Sequence, residues 1–451
     1  MAQDGTRPNI VFVFGDQWRA QALGYAGDPN VKTPCLDRLA DESVNVALAI
    51  SGCPICSPYR ASLMSGRRPL SHGVFVNDVP LAPDPNSLAH CFRRAGYATA
   101  YIGKWHIDAH GRSNYIPPNR RQGFEYWKAL ECTHAYNRSA YYAGDSAEKR
   151  FWEGYDAIAQ TRDAQRYIRE RGAGGPFLLM LSWGPPHDPY ASAPARFRAM
   201  YDPLSLRVRP NVPRETIAQA RQWLAGYYAH CSALDECAGG LIRTLREQRL
   251  EQNTIFVFAS DHGDMLGGQG MRTKQMPWDE SIRVPFLLRW PERFGSAARE
   301  AALLLDAPDI APTLLGLAGL PVPVSMEGLN FAAALDGAED PAGGQALIAS
   351  YHPFANWRKA VGGREYRGLR TLRHTYARTR EGRWLLYDNL ADPYQQANLA
   401  MDARSAELAA EMDRRLDGML RQRGDEFASG RELLSRWGYE TDEQDAVPYA
   451  K

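Results

Sequence analysis

Three uninterrupted apolar runs constrain the fold of this chain more than any other feature. They lie at residues 9–14, 177–182 and 254–260. Because consecutive residues are apolar, each run is expected to be buried on both faces, which is typical of central strands in a parallel sheet covered by helices. Helical patterns lie between these runs, at residues 33–42, 87–96, 162–171 and 214–248. This alternation predicts a three-layer α/β domain.

The pattern changes after about residue 345. Residues 366–376 and 383–387 predict short antiparallel strands, and residues 403–423 predict a helix. We therefore expect two units, a large α/β domain at residues 1–345 and a smaller α+β subdomain at residues 346–451.

The charge balance limits the classes of partner. The 451 residues include 53 Lys and Arg against 52 Asp and Glu, which leaves a formal net charge of +1. Nucleic acid and anionic membranes attract proteins with a basic excess, so we expect neither partner. The seven cysteines are irregularly spaced, which argues against a disulfide framework. With no apolar signal segment before Pro8, these features predict a cytoplasmic protein, or the trimmed form of an exported one.

Polar residues follow the apolar runs. Asp16 and Gln17 come after the first run, His187 after the second, and Asp261 with His262 after the third. The carboxyl ends of parallel strands meet at one edge of the sheet, where ligands bind in open α/β folds. Carboxylate oxygens with a neutral amide oxygen suit Ca²⁺, Mg²⁺ or Mn²⁺ better than a thiolate zinc site does. Each residue alone would be typical of a structural cap, but together they predict a metal site.

The segment CPICSPYRASLMSGR at residues 53–67 is the most specific motif in the chain. The Ser-Pro pair after Cys56 predicts the start of a helix, and Gly66 predicts its end. Cys56 would then stand just before a helix, where free N–H groups favour an anion. Arg60, one turn further on, could hold a tetrahedral oxyanion with its planar guanidinium.

Two other chemistries are open to the pair Cys53 and Cys56. Half of a zinc site would need a second close pair, and Cys231 and Cys237 have the wrong spacing. A redox dithiol would be expected to open the helix after the first strand of a small domain, which this pair does not do.

The run Cys-Ser-Pro-Tyr-Arg at residues 56–60 resembles the signature of the type I sulfatases, in the alkaline phosphatase superfamily. Other segments similar to that family follow in order, at residues 9–17, 103–106, 186–189, 260–264 and 280–285 and at Lys274. The resemblance implies an alkaline phosphatase-like α/β/α sandwich with a large mixed, mainly parallel sheet, and makes residues 1–345 the catalytic domain. It also implies that a separate formylglycine-generating maturation enzyme oxidises Cys56 to formylglycine.

The resemblance further implies a bound divalent metal, usually Ca²⁺, with Mg²⁺ or Mn²⁺ as alternatives. The positions that match the metal site of the family are Asp16, Gln17, Cys56, Asp261 and His262. Gln17 stands where many members have an aspartate, so this chain has one negative charge fewer there.

The implied reaction is hydrolysis of a sulfate monoester. One hydroxyl of the hydrated formylglycine would attack sulfur and form a covalent enzyme-sulfate ester. His106 would deprotonate the second hydroxyl so that sulfate is expelled. Arg60, Lys104 and Lys274 would neutralise the sulfate oxygens. His187 would protonate the departing alcohol.

Two alternatives to a sulfatase are open. A phosphonate monoester or phosphodiester hydrolase of the same superfamily also uses formylglycine and often has an Asp-Gln pair like Asp16-Gln17. That branch usually lacks the lysine and histidine that correspond to Lys104 and His106, so these two residues favour sulfate. The other alternative is a non-catalytic anion-binding or thiol-redox protein in which Cys56 is never modified.

The substrate is expected to be a small-molecule or saccharide sulfate ester. Asn77 lies where an asparagine often borders the site in the family, and His352 and Arg358 lie in the carboxyl-terminal unit that could face the leaving group. These side chains suit a polar sugar that carries carboxylate or sulfate groups.

Overall fold

The structure is a computed structural model that describes residues 7–172 and 174–449. The first six residues, which bear on the expectation about a signal segment, lie outside the described residues. The strands are β1 (Asn9–Asp16), β2 (Val44–Val46), β3 (Ala98–Lys104), β4 (Tyr126–Leu130), β5 (Ala140–Ala143), β6 (Arg150–Phe151), β7 (Phe177–Pro186), β8 (Thr254–Ser260), β9 (Phe286–Arg289), β10 (Arg299–Ala301), β11 (Gln345–Ser350), β12 (Tyr366–Thr371), β13 (His374–Thr379) and β14 (Gly382–Asp388). The helices are α1 (Pro34–Ala40), α2 (Cys56–Ser65), α3 (Pro69–His72), α4 (Leu88–Arg94), α5 (Asp156–Arg171), α6 (Ala195–Arg198), α7 (Ile217–Glu247), α8 (Asp279–Ile282), α9 (Pro291–Phe294), α10 (Ala307–Leu317), α11 (Ala332–Leu335), α12 (Ala406–Arg423) and α13 (Gly430–Trp437).

The larger sheet is mixed and mainly parallel. Its ten described strands run in the order β10-β2-β9-β8-β1-β7-β3-β4-β5-β6. β1 lies between β7 and β8 and is parallel to both, while β3 continues the parallel set on β7 and β4. β9 and β5 are antiparallel to their neighbours. The three apolar runs are therefore adjacent central strands, as predicted, and the polar residues that follow them meet at one edge.

Helices cover both faces of this sheet. Alternate residues of a strand point to opposite faces, so Phe12 and Phe14 of β1 belong to one apolar cluster, together with residues of α2 and α10. Val11 and Val13 belong to another cluster, together with residues of α5 and α7. The three-layer α/β/α sandwich predicted from the sequence is confirmed.

The smaller sheet is antiparallel, with the order β11-β12-β13-β14, and α12 packs on it. The single strand predicted at residues 366–376 is wrong, because the chain turns between Thr371 and His374 to make the β12-β13 hairpin. The apolar and β-branched residues on both sides of this turn conceal it in the sequence. The division into two domains at residue 345 stays a prediction.

Two helix boundaries differ from those predicted. Cys56 is the first residue of α2 rather than the residue before it, and Gly66 ends that helix in the left-handed conformation at φ 64°. α5 begins at Asp156, earlier than predicted, after an extended Tyr155. In the described part of the chain, no helix has both the length and the apolar character needed to cross a bilayer.

Candidate active site

Cys56 opens α2 at the polar edge of the large sheet. The residue before it, Ile55, is extended, so the helix amides begin at the cysteine. The next amide, that of Ser57, donates to Asn77 Oδ1 at 2.9 Å, which makes Asn77 the side-chain cap of this helix end. The predicted site residue Asn77 therefore positions the segment that carries Cys56 and also lines the cleft above it.

A compact buried cluster surrounds the Cys56 thiol. Asp16, Cys56, Asp261 and His262 bring their ligand atoms within 4.8 Å of one another. The thiol Sγ lies 3.2 Å from His262 Nε2 and 3.7 Å from Asp16 Oδ1. His262 Nε2 lies 3.6 Å from both an Asp16 and an Asp261 oxygen. All four side chains are buried. The structure thus brings these four predicted metal residues together near the ends of β1 and β8.

The side-chain amide oxygen of Gln17 has no hydrogen-bond partner in the described structure. Its Nε2 donates to Asp264 Oδ2 at 2.7 Å, and Tyr190 donates its hydroxyl to the same carboxylate oxygen at 2.5 Å. The nitrogen is thus fixed on Asp264, and Oε1 remains buried without a hydrogen bond. Two carboxylates and a histidine nitrogen of one cluster fit a hard divalent cation, and the orphaned Gln17 oxygen is a further candidate donor.

Arg60 makes contacts that differ from the prediction that it holds the sulfate. Its Nη2 donates to Asp16 and Asp261, its Nε to Asp261, and its Nη1 to the Lys104 carbonyl and Ser182 Oγ. A guanidinium has five N–H groups, and these five contacts engage all of them, while the contact of Arg60 with a sulfate stays a prediction. Arg60 is a positioning residue that holds the two acidic side chains from behind.

Two lysines border the nucleophile position from the cleft side. Lys274 Nζ lies 2.9 Å from Cys56 Sγ and 3.0 Å from His187 Nε2. Lys104 Nζ forms an ion pair with Asp16. Burial and Asp16 raise the pKa of the Cys56 thiol, but Lys104, Lys274 and His262 outweigh them and hold it well below its usual range. The site therefore stabilises negative charge at position 56.

The same cations also lower the pKa of the Asp16 carboxyl. Burial alone would raise the pKa of this carboxyl, yet Lys104, His187, Arg60 and Lys274 hold it well below its usual range. The carboxylate is consequently ionised in the buried site, as a metal ligand must be.

His106 is oriented by an acidic residue that the sequence did not single out. Asp78 Oδ1 lies 2.9 Å from His106 Nε2, while Nδ1 is buried with no hydrogen-bond partner in the described structure. Burial lowers the pKa of His106, but Cys132 and Asp78 raise it, to about 10. The ring would thus lose its proton at neutral pH only when further positive charge nearby, such as a bound metal, lowers that pKa.

His187 is held in a comparable way on the other side of the nucleophile. Its Nδ1 lies 2.9 Å from the Asp188 carbonyl oxygen and 3.1 Å from the Asp188 carboxylate, which in turn binds Arg272 at 3.0 Å. These contacts leave Nε2, beside Lys274, directed at the cleft.

The cleft above Cys56 has a volume of about 210 Å³. Its lining includes Gln17, Cys56, Asn77, Asp78, Lys104, His106, Arg112, Cys132, His134, His187, Asp188, Thr273, Lys274, Gln275, Phe354, Ala355, Asn356 and Trp357. Several lining residues have left-handed backbones, namely Gln17, Asp78, His106, Thr273, Gln275 and Ala355. Such conformations are costly for non-glycine residues and concentrate at functional sites.

Two predicted substrate residues lie outside this lining. His352 Nε2 lies 2.8 Å from the Asp445 carbonyl oxygen, and Arg358 Nη1 donates to the Ala355 carbonyl at 3.1 Å. Arg358 thus supports the segment that contains Asn356 and Trp357, which both line the cleft, whereas His352 faces the carboxyl-terminal segment.

Sequence reasoning missed several polar groups of the site. Asp78, Ser182 and Asp264 each bind a predicted site residue, but no role was predicted for any of them, although Asp264 ends the family-like segment 260–264. The signal available in the sequence was proximity, since Asp78 follows Asn77, Ser182 ends an apolar run and Asp264 follows Asp261-His262-Gly263.

Two protein-family models match the sequence of this chain. The model described as sulfatase matches residues 8–320. A second model, described as N-sulphoglucosamine sulphohydrolase, C-terminal, matches residues 267–422.

Individual relatives lead to the same family. An ulvan-active sulfatase of Formosa agariphila is 44% identical over 448 residues, covering 98% of this chain and 87% of that protein. An endo-4-O-sulfatase of Bacteroides thetaiotaomicron is 30% identical, covering 97% of each. A solved sulfatase structure from Bacteroides fragilis has a TM-score of 0.85 at 29% identity, covering 96% of this chain and 99% of that chain. The expected alkaline phosphatase-like fold and sulfatase activity class are therefore confirmed, and the chain belongs to the type I sulfatase family.

Proposed function

We propose that this sulfatase hydrolyses the sulfate monoester of a saccharide, using a formylglycine made from Cys56 and a bound divalent metal. The observation that carries the proposal is the position of Cys56. It lies at the start of α2 with the acidic Asp16-Asp261 cluster on one side and the Lys274-His187 pair on the other. The lysine and histidine suit an anionic ester, and the acidic cluster suits a cation that stabilises the nucleophile.

The metal would be held by Asp16, Asp261, His262 and Gln17, with Ca²⁺ as the proposed ion and Mg²⁺ or Mn²⁺ as alternatives. When bound, the ion supplies Lewis acidity beside position 56. The formylglycine supplies, as its hydrate, two hydroxyl groups on one carbon. Arg60 keeps both carboxylates in place from behind, so the donor set is organised before an ion arrives.

The remaining residues divide the charge and proton transfers between them. Lys104 and Lys274 present their ammonium groups to the sulfate oxygens from the cleft side. His187 Nε2, which accepts from the Lys274 ammonium at 3.0 Å, would relay a proton from that lysine to the leaving alcohol, because Nδ1 is already directed at Asp188. His106 would accept a proton at Nδ1, its unpartnered nitrogen, while Asp78 holds Nε2.

The saccharide part of the proposal is supported by the relatives and by the cleft. The carboxyl-terminal family model takes its description from a glucosamine derivative, and the Bacteroides relative is named an endo-4-O-sulfatase. The cleft has a polar lining with the indole of Trp357 on one wall, which is suited to a sugar ring.

The proposal is tested by turnover of paired substrates. Wild-type enzyme from a host with a formylglycine-generating enzyme should hydrolyse an aryl sulfate and sulfated sugars. Cys56→Ala should lower kcat by at least about a thousandfold, because its nucleophile is gone. Asn86→Ala, which changes a residue outside the cleft lining, is the matched control and should leave kcat unchanged.

A phosphonate monoester hydrolase is the second candidate, and the Asp16-Gln17 pair is the observation that favours it. Side-by-side kcat/KM values for an aryl sulfate and an aryl phosphonate monoester distinguish the two. Lys104 and His106 both face the cleft, so we expect the sulfate to be preferred. A preference for the phosphonate would contradict the proposed function.

A further inference from the structure

Arg112 is a cation of the cleft wall that the proposed reaction does not use. It lines the same cleft as Lys104 and Lys274. Within the described residues, its guanidinium has no carboxylate partner at ion-pair distance, and its side-chain hydrogen bonding is confined to Nη2, 3.3 Å from the ring nitrogens of His134. Its Nε and Nη1 edges remain available to a ligand.

A chain of contacts relates Arg112 to the reacting centre. The His134 ring stacks on that of His187, with centroids 4.6 Å apart and planes 21° apart. His187 in turn lies 3.0 Å from Lys274, which contacts Cys56. Arg112 therefore lies on the leaving-group side of the cleft, one imidazole beyond the histidine proposed to protonate the alcohol.

His134 holds this arginine without adding charge of its own. Burial and the neighbouring His187, Lys104 and Arg112 side chains lower the pKa of His134 to about 2, so the ring is neutral at physiological pH. Within the pair formed by His134 and Arg112, the positive charge consequently belongs to Arg112. An unpaired guanidinium presents a planar fork that matches the two oxygens of a carboxylate, and it also binds sulfate.

Trp357 is another residue of the cleft lining, and its indole is suited to a sugar ring. Trp357 Nε1 donates to Thr273 Oγ1 at 2.7 Å, which immobilises the indole, and Asn356 is exposed beside it.

We propose that Arg112 forms a subsite for a second anionic group of the substrate, a carboxylate or a second sulfate, on the leaving-group side of the scissile ester. The inference rests on the proposed function and makes it more specific. The preferred substrate is then a sulfated saccharide that carries another negative charge near the reacting ester, and Arg112 selects for that charge without taking part in the chemistry.

The test compares kcat/KM on matched substrates. One pair is a sulfated disaccharide that contains a uronic acid and the same compound with its carboxyl group reduced to an alcohol. A second pair is a disulfated sugar and its monosulfated counterpart, and an aryl sulfate reports the chemistry alone. Arg112→Gln should lower kcat/KM about 10- to 100-fold on the more anionic member of one pair. The less anionic member of each pair and the aryl sulfate should change by less than about twofold. The pair that responds identifies the anion.

Two further variants sharpen the result. Arg112→Lys keeps the charge but loses the fork, so it should recover part of the activity on the anionic member. Arg431→Gln, an exposed arginine of α13, should behave as wild type on all substrates. If wild type does not distinguish the members of either pair, or if Arg112→Gln lowers all substrates equally, the subsite is contradicted.

Binding without turnover separates this inference from the proposed function. Calorimetry would measure the affinity of the desulfated uronic acid disaccharide and of its reduced form. Stronger binding of the acid by wild type, lost in Arg112→Gln, supports the subsite even if no sulfate ester is hydrolysed. Equal binding of acid and alcohol by an enzyme that hydrolyses aryl sulfate contradicts the subsite and leaves the proposed function intact.

Discussion

The residues around position 56 fall into two groups according to the direction they face. Arg60, Asp16 and Asp261 lie behind the nucleophile and bind one another, whereas Lys104 and Lys274 line the cleft. The family motif predicts the presence of Arg60 but not its contacts with the two carboxylates.

Asp264 is expected to determine the metal affinity through Gln17. Asp264→Asn is nearly isosteric but no longer gives the Gln17 amide nitrogen a charged acceptor, so the amide can rotate and change the direction of Oε1. Loss of such a supporting contact typically weakens metal binding about 10- to 100-fold. Calorimetric titration with Ca²⁺ measures the change. An affinity equal to that of wild type would mean that Gln17 takes no part in binding the ion.

His187 is expected to matter most for poor leaving groups. An alkyl alkoxide needs a proton to depart, whereas a nitrophenolate leaves without one. His187→Gln should therefore lower kcat by at least about a hundredfold on a sugar or alkyl sulfate, and by about tenfold or less on nitrophenyl sulfate. Equal losses on both substrates would assign His187 to binding of the sulfate instead.

At the scale of elements, the start of α5 buries a carboxyl group that has too few partners. Asp156 is buried, one of its oxygens has no hydrogen bond in the described structure, and burial raises its pKa to about 7. Because the folded-state pKa exceeds the unfolded value, folding stability is highest below about pH 4 on account of this group. That contribution is lost as pH rises to about 7.

Asp156→Asn should therefore flatten the decline in stability between about pH 4 and pH 7. At pH 8 the variant should be more stable than wild type, by up to about 4 kcal/mol, from the cost of ionising the buried acid. Urea unfolding at several pH values measures the slope. Asp41→Asn, at an exposed aspartate, is the control. An unchanged slope in Asp156→Asn would show that this carboxyl does not titrate with folding.

Strands that are continuous apolar runs could be predicted from the sequence, whereas strands separated only by a short turn could not. The runs that became β1, β7 and β8 are buried along nearly their whole length, which matches their apolar character on both faces. The β12-β13 turn lacks a Gly or Pro signal, so only pairing across the hairpin reveals it.

The candidate site was predictable to the extent that its residues follow strands or belong to a specific motif. The Asp16-Asp261 cluster and the Cys56 helix are of this kind. Asp78 and Arg112 lie on loops whose path depends on the whole fold, so no local pattern could bring them to the cleft. For the same reason His352, although close in sequence to Trp357, faces the carboxyl-terminal segment instead.

At the scale of the whole molecule, the near balance of 53 basic and 52 acidic residues conceals a local arrangement. The cluster places Asp16 and Asp261 together in the interior, with Lys104, Lys274 and Arg60 around them. A bound divalent ion would therefore connect β1, β8 and α2 by neutralising two buried carboxylates.

Removal of the metal should lower the melting temperature of the entire domain. An ion present at about a hundred times its dissociation constant contributes about 2.7 kcal/mol to folding, so a chelator should produce a clear downward shift of Tm that added Ca²⁺ reverses. Scanning calorimetry at several free Ca²⁺ concentrations measures this. The double variant Asp16→Asn, Asp261→Asn should show no dependence on Ca²⁺. A wild-type Tm that is independent of Ca²⁺, Mg²⁺ and Mn²⁺ would contradict the metal site.

The central claim is that Cys56 becomes the formylglycine nucleophile of a sulfatase. Mass spectrometry of the Cys56 peptide, taken from preparations made with and without a formylglycine-generating enzyme, tests it most directly when combined with aryl sulfate turnover. We predict that the peptide carries an aldehyde or its hydrate in place of the thiol, and that specific activity rises in proportion to the converted fraction. Full activity in a preparation whose Cys56 is entirely thiol would contradict the claim.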